Sequence, residues 1–580
     1  MRRLTPLIAV LAFLRLGDCT RAQQENVVVL PPFIVEEETK GQPWRYAQMP
    51  GFEILARCSD RTTRDLAEAH YRLHHLLELL LPERLQLAFA IPRVLIFYDE
   101  DLQSAASREV IASMLQRAEK AAPPVELLRV EPGQFALRGP YVPSLTARRI
   151  NFLPNLRLWD KDAMSVFALV REGAFDTDRL MLTRDYVSYL LLNRAPELPW
   201  WFVGGVLGLY DQVEYDTGSL TLDPIVWISE KQTDALKRDP KTAPAPVPLA
   251  EFFTRVPPHS TPEEEARRQV WISQCALLVR WALDGRTPEQ REAFWDFVDQ
   301  AASGVTPAAF ERCFGIDFAT ADAQLAAYLP TAVRKSITLR PAHPVKAPTI
   351  TLRNASEAEI ARIKGDWERL EVGFVRSRMP AYADKYLEQA RRTLHHGYDS
   401  DAHNPRLLAV LGLCESDAGD EADARKFLEA AAQLGPLRPR AAYELARLRF
   451  AEAEAAPAGA DGRLSVAQIN KILTPVFAVR EQAPALPEIY DLIAQVWERS
   501  AYQPTQLHLG VLYEGVCIFP RRSQLVYRTA ALYTDRGYAA EAAKLIRLGL
   551  MVATDDAEHE RFTQLQTKLA ASQPPADHVP

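Results

Sequence analysis

The stretch from Pro405 to Pro436 constrains this chain more than any other. Leu408, Leu411 and Gly412 lie at helical spacing, Gly419-Asp420 interrupts the pattern, and Ala424, Leu428 and Ala431 resume it before Pro436 ends it. A second stretch near Lys364 carries Trp367, Leu370, Phe374, Ala383, Leu387 and Ala390 at comparable offsets, and a third near Ser523 carries Val526, Tyr533, Gly537, Ala542, Ile546 and Gly549. Between Ile489 and Pro520 the pattern is fainter. A single helix–turn–helix of this size cannot bury its apolar stripe alone, so a chain that carries several must stack them. The region 353–570 is therefore expected to be all-α.

These residues resemble the tetratricopeptide repeat, a unit of about 34 residues. The resemblance implies that small residues let two antiparallel helices approach and that proline ends the second. It also implies a concave groove that takes peptides or partner proteins. Arg340-Pro341-Ala342-His343-Pro344 opens a Pro-rich linker over 341–352, Ala455–Arg463 reads as an insertion loop, and 571–580 as a polar tail.

A chain of 580 residues exceeds one core, so a further domain must precede the repeats. Residues 23–340 read as α+β, with a mixed sheet and helices. An extended stretch with a Pro31-Pro32 break leads to a strand over Phe52–Ala56, then a helix capped by Thr62 or Thr63 and running to Leu81, then a strand over Arg93–Tyr98. A helix is expected over 105–121, strands over 125–130, 135–138 and 151–158, and a helix over Asp162–Glu172. Helices over Thr177–Asn193 and Pro199–Val213 follow, then a hairpin of Ser219–Leu222 with Ile225–Ile228, a Pro-rich loop over 238–248, and helices over Pro262–Ala282, Pro288–Ala302, Pro307–Phe314 and Asp322–Tyr328.

Leu182–Tyr210 reads as a helix, a Pro-marked turn and a second helix opening on Trp200-Trp201-Phe202. This layout resembles the zinc-binding core of the gluzincin (peptidase MA-like) metallopeptidases, where HExxH lies on the first helix and a glutamate ligand on the second. In HExxH the two histidines share one helix face and reach the metal, and the glutamate polarises its water. Here Arg184 and Ser188 stand at the histidine positions, Asp185 at the base and Gly204 at the third ligand. No histidine falls between His75 and His259, and no cysteine between Cys58 and Cys275, so nitrogen or sulfur ligands for zinc are missing from this region. The resemblance implies a pseudo-peptidase with no catalytic residue, metal or cofactor. Its cleft would be marked by Arg184, Asp185, Ser188, Trp200, Trp201, Gly204 and Tyr210. The alternative is a metal-independent hydrolase of peptide or glycan using Asp185 and a nearby carboxylate.

Other clusters are read as structural. His70 and His74 stand four apart but lack the glutamate between them, His395-His396 suits a helix C-terminus, and Asp211, Glu214 and Asp216 follow a helix end. Trp200 and Trp201 read as a hydrophobic lock in preference to a ligand platform. Six widely spaced cysteines form no CxxC pair, so buried free thiols are expected, with a Cys275–Cys313 bridge as the one pairing considered. A net charge of −7 and no basic run with interleaved aromatics argue against nucleic acid. Arg2-Arg3, the apolar run Thr5–Leu14 and Thr20-Arg21-Ala22 match a leader over 1–22, with export to the periplasm or medium; Leu16-Gly17-Asp18-Cys19 is a poorer lipobox that would anchor Cys19. No later segment is apolar and long enough to span a membrane. The expected partner is a protein or peptide on the repeats.

Overall fold

The computed structural model describes residues 42–81, 93–99, 126–131, 134–138, 152–170, 184–192, 194, 197–210, 213–216, 218–242, 244–254, 261–284, 287–301, 304–341, 343–378, 380, 383–553 and 555–572. The leader, the extended stretch before 42, the helix expected over 105–121 and the tail from 573 lie outside them. The chain is mostly helical with a small mixed sheet.

That sheet has six strands, in the order β11 (Arg353–Asn354), β1 (Arg45–Met49), β2 (Phe52–Arg57), β3 (Arg93–Asp99), β7 (Met164–Val170) and β6 (Phe152–Trp159). β1 (Arg45–Met49) and β2 (Phe52–Arg57) form a hairpin, β3 (Arg93–Asp99) and β7 (Met164–Val170) run parallel to β2, and β6 (Phe152–Trp159) returns antiparallel on β7. The helix expected over Asp162–Glu172 is therefore a strand. Its continuous run Met-Ser-Val-Phe-Ala-Leu-Val is what a central strand needs when both faces are covered, and periodicity alone does not separate that from a buried helix. β4 (Glu126–Glu131) pairs with β5 (Gln134–Arg138) in a separate ribbon.

Side chains alternate between two cores. Ile54, Ala56, Leu95, Phe97 and Val166 face one side, where α1 (Asp60–Leu76), α2 (Arg184–Leu192), α3 (Trp200–Tyr210) and later helices lie. Leu55, Val94, Ile96, Tyr98 and Phe167 face the other. α1 begins earlier than expected: Ser59 caps it, its hydroxyl accepting from the Thr62 N–H at 3.2 Å.

A three-stranded sheet follows, with β9 (Ser219–Leu222) between β8 (Val213–Asp216) and β10 (Ile337–Leu339). The hairpin expected between Ser219–Leu222 and Ile225–Ile228 is not formed. Ile225 and Trp227 are buried instead, and the Ile225 N–H donates to the Ala332 carbonyl at 3.0 Å. β9's second partner lies more than a hundred residues downstream, where no local pattern points to it. Then come α4 (Glu230–Arg238), α5 (Leu249–Phe252), α6 (Pro262–Leu283), α7 (Pro288–Gln300), α8 (Pro307–Phe314) and α9 (Phe318–Ala332). Thr-Pro opens α6, α7 and α8: threonine caps the first turn and proline needs no partner for an N–H it lacks. In α6 and α7 the capping box is complete, each cap contributing about 1 kcal/mol.

The segment read as a linker leads back into the first sheet. β11 (Arg353–Asn354) pairs with β1 as its edge, and α10 (Glu357–Arg378) covers the second face with Ile363 and Trp367. The Trp367 ring lies 5.5 Å from that of Phe167. Trp367 and Leu370, assigned by their spacing to a repeat, thus pack on β-structure.

From α10 onward helices stack in pairs. α10 lies on α11 (Ala383–Ser400), α12 (Pro405–Ala418) on α13 (Glu421–Leu434), α14 (Pro439–Ala455) on α15 (Val466–Val479), α16 (Pro487–Glu498) on α17 (Gln506–Ile518), and α18 (Ser523–Asp535) on α19 (Ala539–Val552), with α20 (Asp556–Ser572) closing the array. In the clearest unit Gly419 takes φ +82°, reversing the chain between α12 and α13. A Cβ on Gly412 would come within 2.6 Å of Leu428, so glycine there lets the two helices touch. The first helices of successive pairs also touch one another and make a continuous inner layer.

The cysteines Cys58, Cys275, Cys313, Cys414 and Cys517 are all free, so the Cys275–Cys313 bridge is absent. Cys58, Cys275 and Cys414 are buried as expected; Cys313 is half-buried and Cys517 exposed. Among the described residues no helix is long and apolar enough to cross a membrane.

Candidate functional site: a basic cradle on the inner helix layer

The β6–β7 turn, Asp160-Lys161-Asp162, is held by the inner layer of the helical array. Its own geometry is local: the Asp160 N–H donates to the Ala163 carbonyl at 2.9 Å, and the Lys161 N–H to Asp160 Oδ1 at 2.8 Å. Asp160 Oδ2 accepts from Arg369 of α10 at 2.7 Å and from Arg438, at the start of α14, at 3.2 Å. Arg440 Nε of α14 lies 3.5 Å from Asp160 Oδ1. Asp162 Oδ2 accepts from the Arg440 backbone N–H at 2.8 Å, and Arg438 Nε stands 3.5 Å from Asp162 Oδ1. Lys161 Nζ donates to Glu488 of α16 at 2.5 Å and lies 5.3 Å from the Tyr443 ring centre. An acid–base–acid turn is thus met residue by residue by the first helices α10, α14 and α16.

The cradle is braced from behind. Arg369 also donates to Asp366 and Asp417, each at 2.9 Å, and Arg438 to Asp366 at 3.1 Å. Burial alone would raise the Asp160 pKa, but the guanidiniums of Arg369, Arg438 and Arg440 outweigh it and hold the carboxyl well below its ordinary range. Asp162 goes the other way: its burial, and the neighbouring Asp160 charge, exceed the help from Arg438 and raise its pKa. Both groups take part in one network in which a full set of partners decides whether buried charge is tolerated.

Two further anchors tie the N-terminal part to the same layer. Glu53 of β2, buried beneath Tyr46, accepts from Arg406 of α12 at 2.6 Å and from Arg362 of α10 at 3.2 Å. At the far end Glu197, just before α3, accepts from Arg521 at 3.3 Å and Arg522 at 3.4 Å, and its N–H donates to the Ile518 carbonyl at 3.1 Å. The contacts run from α10 to the start of α18.

The positions marked by the gluzincin resemblance lie elsewhere. Arg184 and Asp185 open α2, but their side chains lie outside the described residues. Ser188 is half-buried one turn on. Trp200 stacks on Trp271 of α6 with ring centres 4.2 Å apart, and Trp201 is buried among Phe253, Phe294 and Phe297. Both rings act as packing, the lock reading. Tyr210 is buried at the end of α3. Gly204 faces α6, where an added Cβ would meet Cys275 at 3.8 Å; at Gly205 it would stand 2.5 Å from the Cys275 carbonyl oxygen. The glycines let α3 lie against α6.

Sequence reasoning missed Asp160, Lys161, Asp162, Arg369, Arg438 and Arg440. Arg438-Pro439-Arg440 at a repeat start was the one visible signal, since two arginines seldom bracket a helix N-terminus where the dipole disfavours cations. It also missed a buried carboxyl pair on α10. Burial pushes Glu368 up to about 7, and burial together with Glu368 pushes Glu371 up to about 8. His74 is buried beside Arg93, and burial and that cation both lower its pKa well below normal, as befits a neutral core histidine. Among the described residues no three His, Cys, Asp or Glu side chains gather as a metal site.

No protein-family model matches the chain, and no curated protein matches it. Similar solved structures include that of MamA, at 15% identity, covering 32% of this chain and 93% of MamA with a TM-score of 0.23. YrrB, described as a TPR protein with an unusual peptide-binding site, is 11% identical over 33% of this chain and 88% of its own, with a TM-score of 0.26. Yeast Tom70 is 12% identical over 60% of this chain and 73% of its own, with a TM-score of 0.25. Likenesses at these scores say nothing of what this chain does.

Proposed function

We propose that this protein is an exported, non-catalytic binding protein that takes a protein or peptide partner on the inner face of a tetratricopeptide-like array. The N-terminal part would be a peptidase-like scaffold of the gluzincin type without its zinc ligands. One observation carries the binding reading: buried arginines on two inner helices, α10 and α14, hold a short acid–base–acid turn of polypeptide by side-chain contacts. Bidentate-capable guanidiniums on rigid helices are suited to reading carboxylates on an extended or turning chain. The helix pair α2–α3 following a mixed sheet supports the scaffold reading, as do Arg184, Ser188 and Gly204 at positions where ligands would stand. The residues Arg2-Arg3, Thr5–Leu14 and Ala22 support export.

The test has two arms on the full chain. Peptides selected from a random displayed library should bind in titration calorimetry and lose affinity on Arg369→Glu or Arg440→Glu; selection that recovers no binding peptide overturns the binding reading. Metal analysis with a general peptidase assay should give no stoichiometric zinc. Zinc with chelator-sensitive activity overturns the scaffold reading, and metal-free hydrolysis abolished by Asp185→Asn would establish the hydrolase alternative.

A further inference from the structure

We infer that the Asp160-Lys161-Asp162 turn is a tethered ligand of the array, so an outside partner with the same acid–base–acid pattern must displace it. This rests on the binding reading above and names the chemistry of the partner and the control on its access.

The seat is built for side chains more than for surface area. Asp162 is 1% exposed and Arg369 4% exposed, so the acidic side of the turn is buried, while Lys161 between the two aspartates stays half-buried. Among the described residues the ion pairs of the three turn residues with the array come from α10, α14 and α16, each the first helix of its pair. This is where an array of this kind would receive a foreign segment.

The fit is also incomplete. Asp162 Oδ1, Arg438 Nε and Arg440 Nε are buried with no hydrogen-bond partner, and the two 3.5 Å contacts are too long to count as one. Buried polar groups are normally satisfied, and each that is not costs the network part of its value. A partner whose carboxylates sit a few tenths of an ångström deeper would gain what the tethered turn leaves unmade. The turn prevails by attachment: a ligand on a short tether acts at an effective concentration of about millimolar, so a turn of about micromolar intrinsic affinity weakens an outside competitor by about three orders of magnitude. Specificity follows from the mixed charge. A uniformly acidic segment would leave Glu488 facing a like charge, whereas Asp-Lys-Asp neutralises both signs.

The probe is a fluorescein-labelled peptide of residues 156–166, LRLWDKDAMSV, titrated into the full chain by fluorescence polarisation. The expected result is weak binding to the wild type and at least tenfold tighter binding to Asp160→Asn/Asp162→Asn, lost again when Arg438→Glu is added. Equal or absent binding to both proteins, with the double variant melting as a folded chain, overturns the inference and leaves the turn as interdomain packing. Should the double variant fail to fold, hydrogen exchange of the wild type decides. Millimolar peptide should speed exchange of the 163–170 amides, and unchanged exchange overturns the inference. Library-selected peptides that bind but ignore Arg438→Glu would sink the inference while leaving the binding reading intact.

Discussion

Arg369 reaches across 209 residues of chain to place its guanidinium 2.7 Å from Asp160 Oδ2. One end of this contact is a turn between two strands and the other a helix that covers the same sheet. It makes the N-terminal sheet and the array's inner layer parts of one electrostatic arrangement. Helix α10 belongs to both: Trp367 packs on the sheet while Arg369, two residues on, faces the cradle.

Removing Arg438 should destabilise the whole chain. It faces Asp160, Asp162 and Asp366, and its loss leaves buried carboxylates short of a cation. Breaking a buried ion network from one side costs about 3–5 kcal/mol. In urea denaturation Arg438→Ala should lower the unfolding free energy by that amount and move the midpoint down accordingly, with tryptophans of both halves following one transition. Two separated transitions would show that the halves are not held together here.

Glu371 should make stability fall with rising pH. Its folded pKa of about 8 lies above the ordinary glutamate value of 4.5, so the folded state holds a proton that the unfolded state releases. The stabilisation is complete below the unfolded pKa and is lost as pH rises towards 8. Glu371→Gln, which keeps the neutral shape, should raise stability by about 1–3 kcal/mol at pH 8.5 and leave it nearly unchanged at pH 4.5. Melting temperatures across that range check the sign; equal gains at both ends would exclude the buried carboxyl as the cause.

The α3–α6 crossing separates two adjacent glycines. Gly205→Ala drives a methyl to 2.5 Å from a backbone oxygen that cannot swing aside, at a cost of about 1–3 kcal/mol. Gly204→Ala meets Cys275 at an ordinary 3.8 Å and gains helix propensity, so it should be neutral to slightly stabilising, by up to about 1 kcal/mol. Thermal melts of the two variants should differ in sign. Equal losses would mean the glycines serve something other than this crossing.

Thiol labelling should follow burial. Cys517 is exposed and should react first with a maleimide, Cys313 more slowly, and Cys58, Cys275 and Cys414 only on unfolding. Burial raises the Cys414 thiol to about 12, which further suppresses thiolate attack. Peptide mapping after timed labelling reads the order, and a Cys275–Cys313 crosslink in the unreduced digest would contradict the free thiols.

Much of the candidate gluzincin site was legible as packing. Trp200 and Trp201 open a helix among other aromatics, readable as a lock because an aromatic cluster is a local property of one helix face. The cradle was not legible. Asp160, Lys161 and Asp162 look like any polar strand turn, and nothing in a window around them indicates that arginines two hundred residues away will close on them. The strand Met164–Val170 was misread for a related reason: a run buried on both faces loses the alternation that would identify it.

The sequence by itself determined the helix pairs that open at Pro405 and Ser523, the turn at Gly419, the helices that start at Pro262, Pro288 and Pro307, and the strands over Phe52–Ala56 and Arg93–Tyr98. Each of these depends on residues within a turn or a strand of one another, where spacing and backbone preference act directly. Tertiary structure alone decided that α10 covers the sheet, that β9 takes Ile337–Leu339 as its second partner, and that the inner helices close on an acidic turn. Those outcomes join segments far apart in the chain, and the chain pays their closure entropy only because buried charge and apolar surface find complementary partners together.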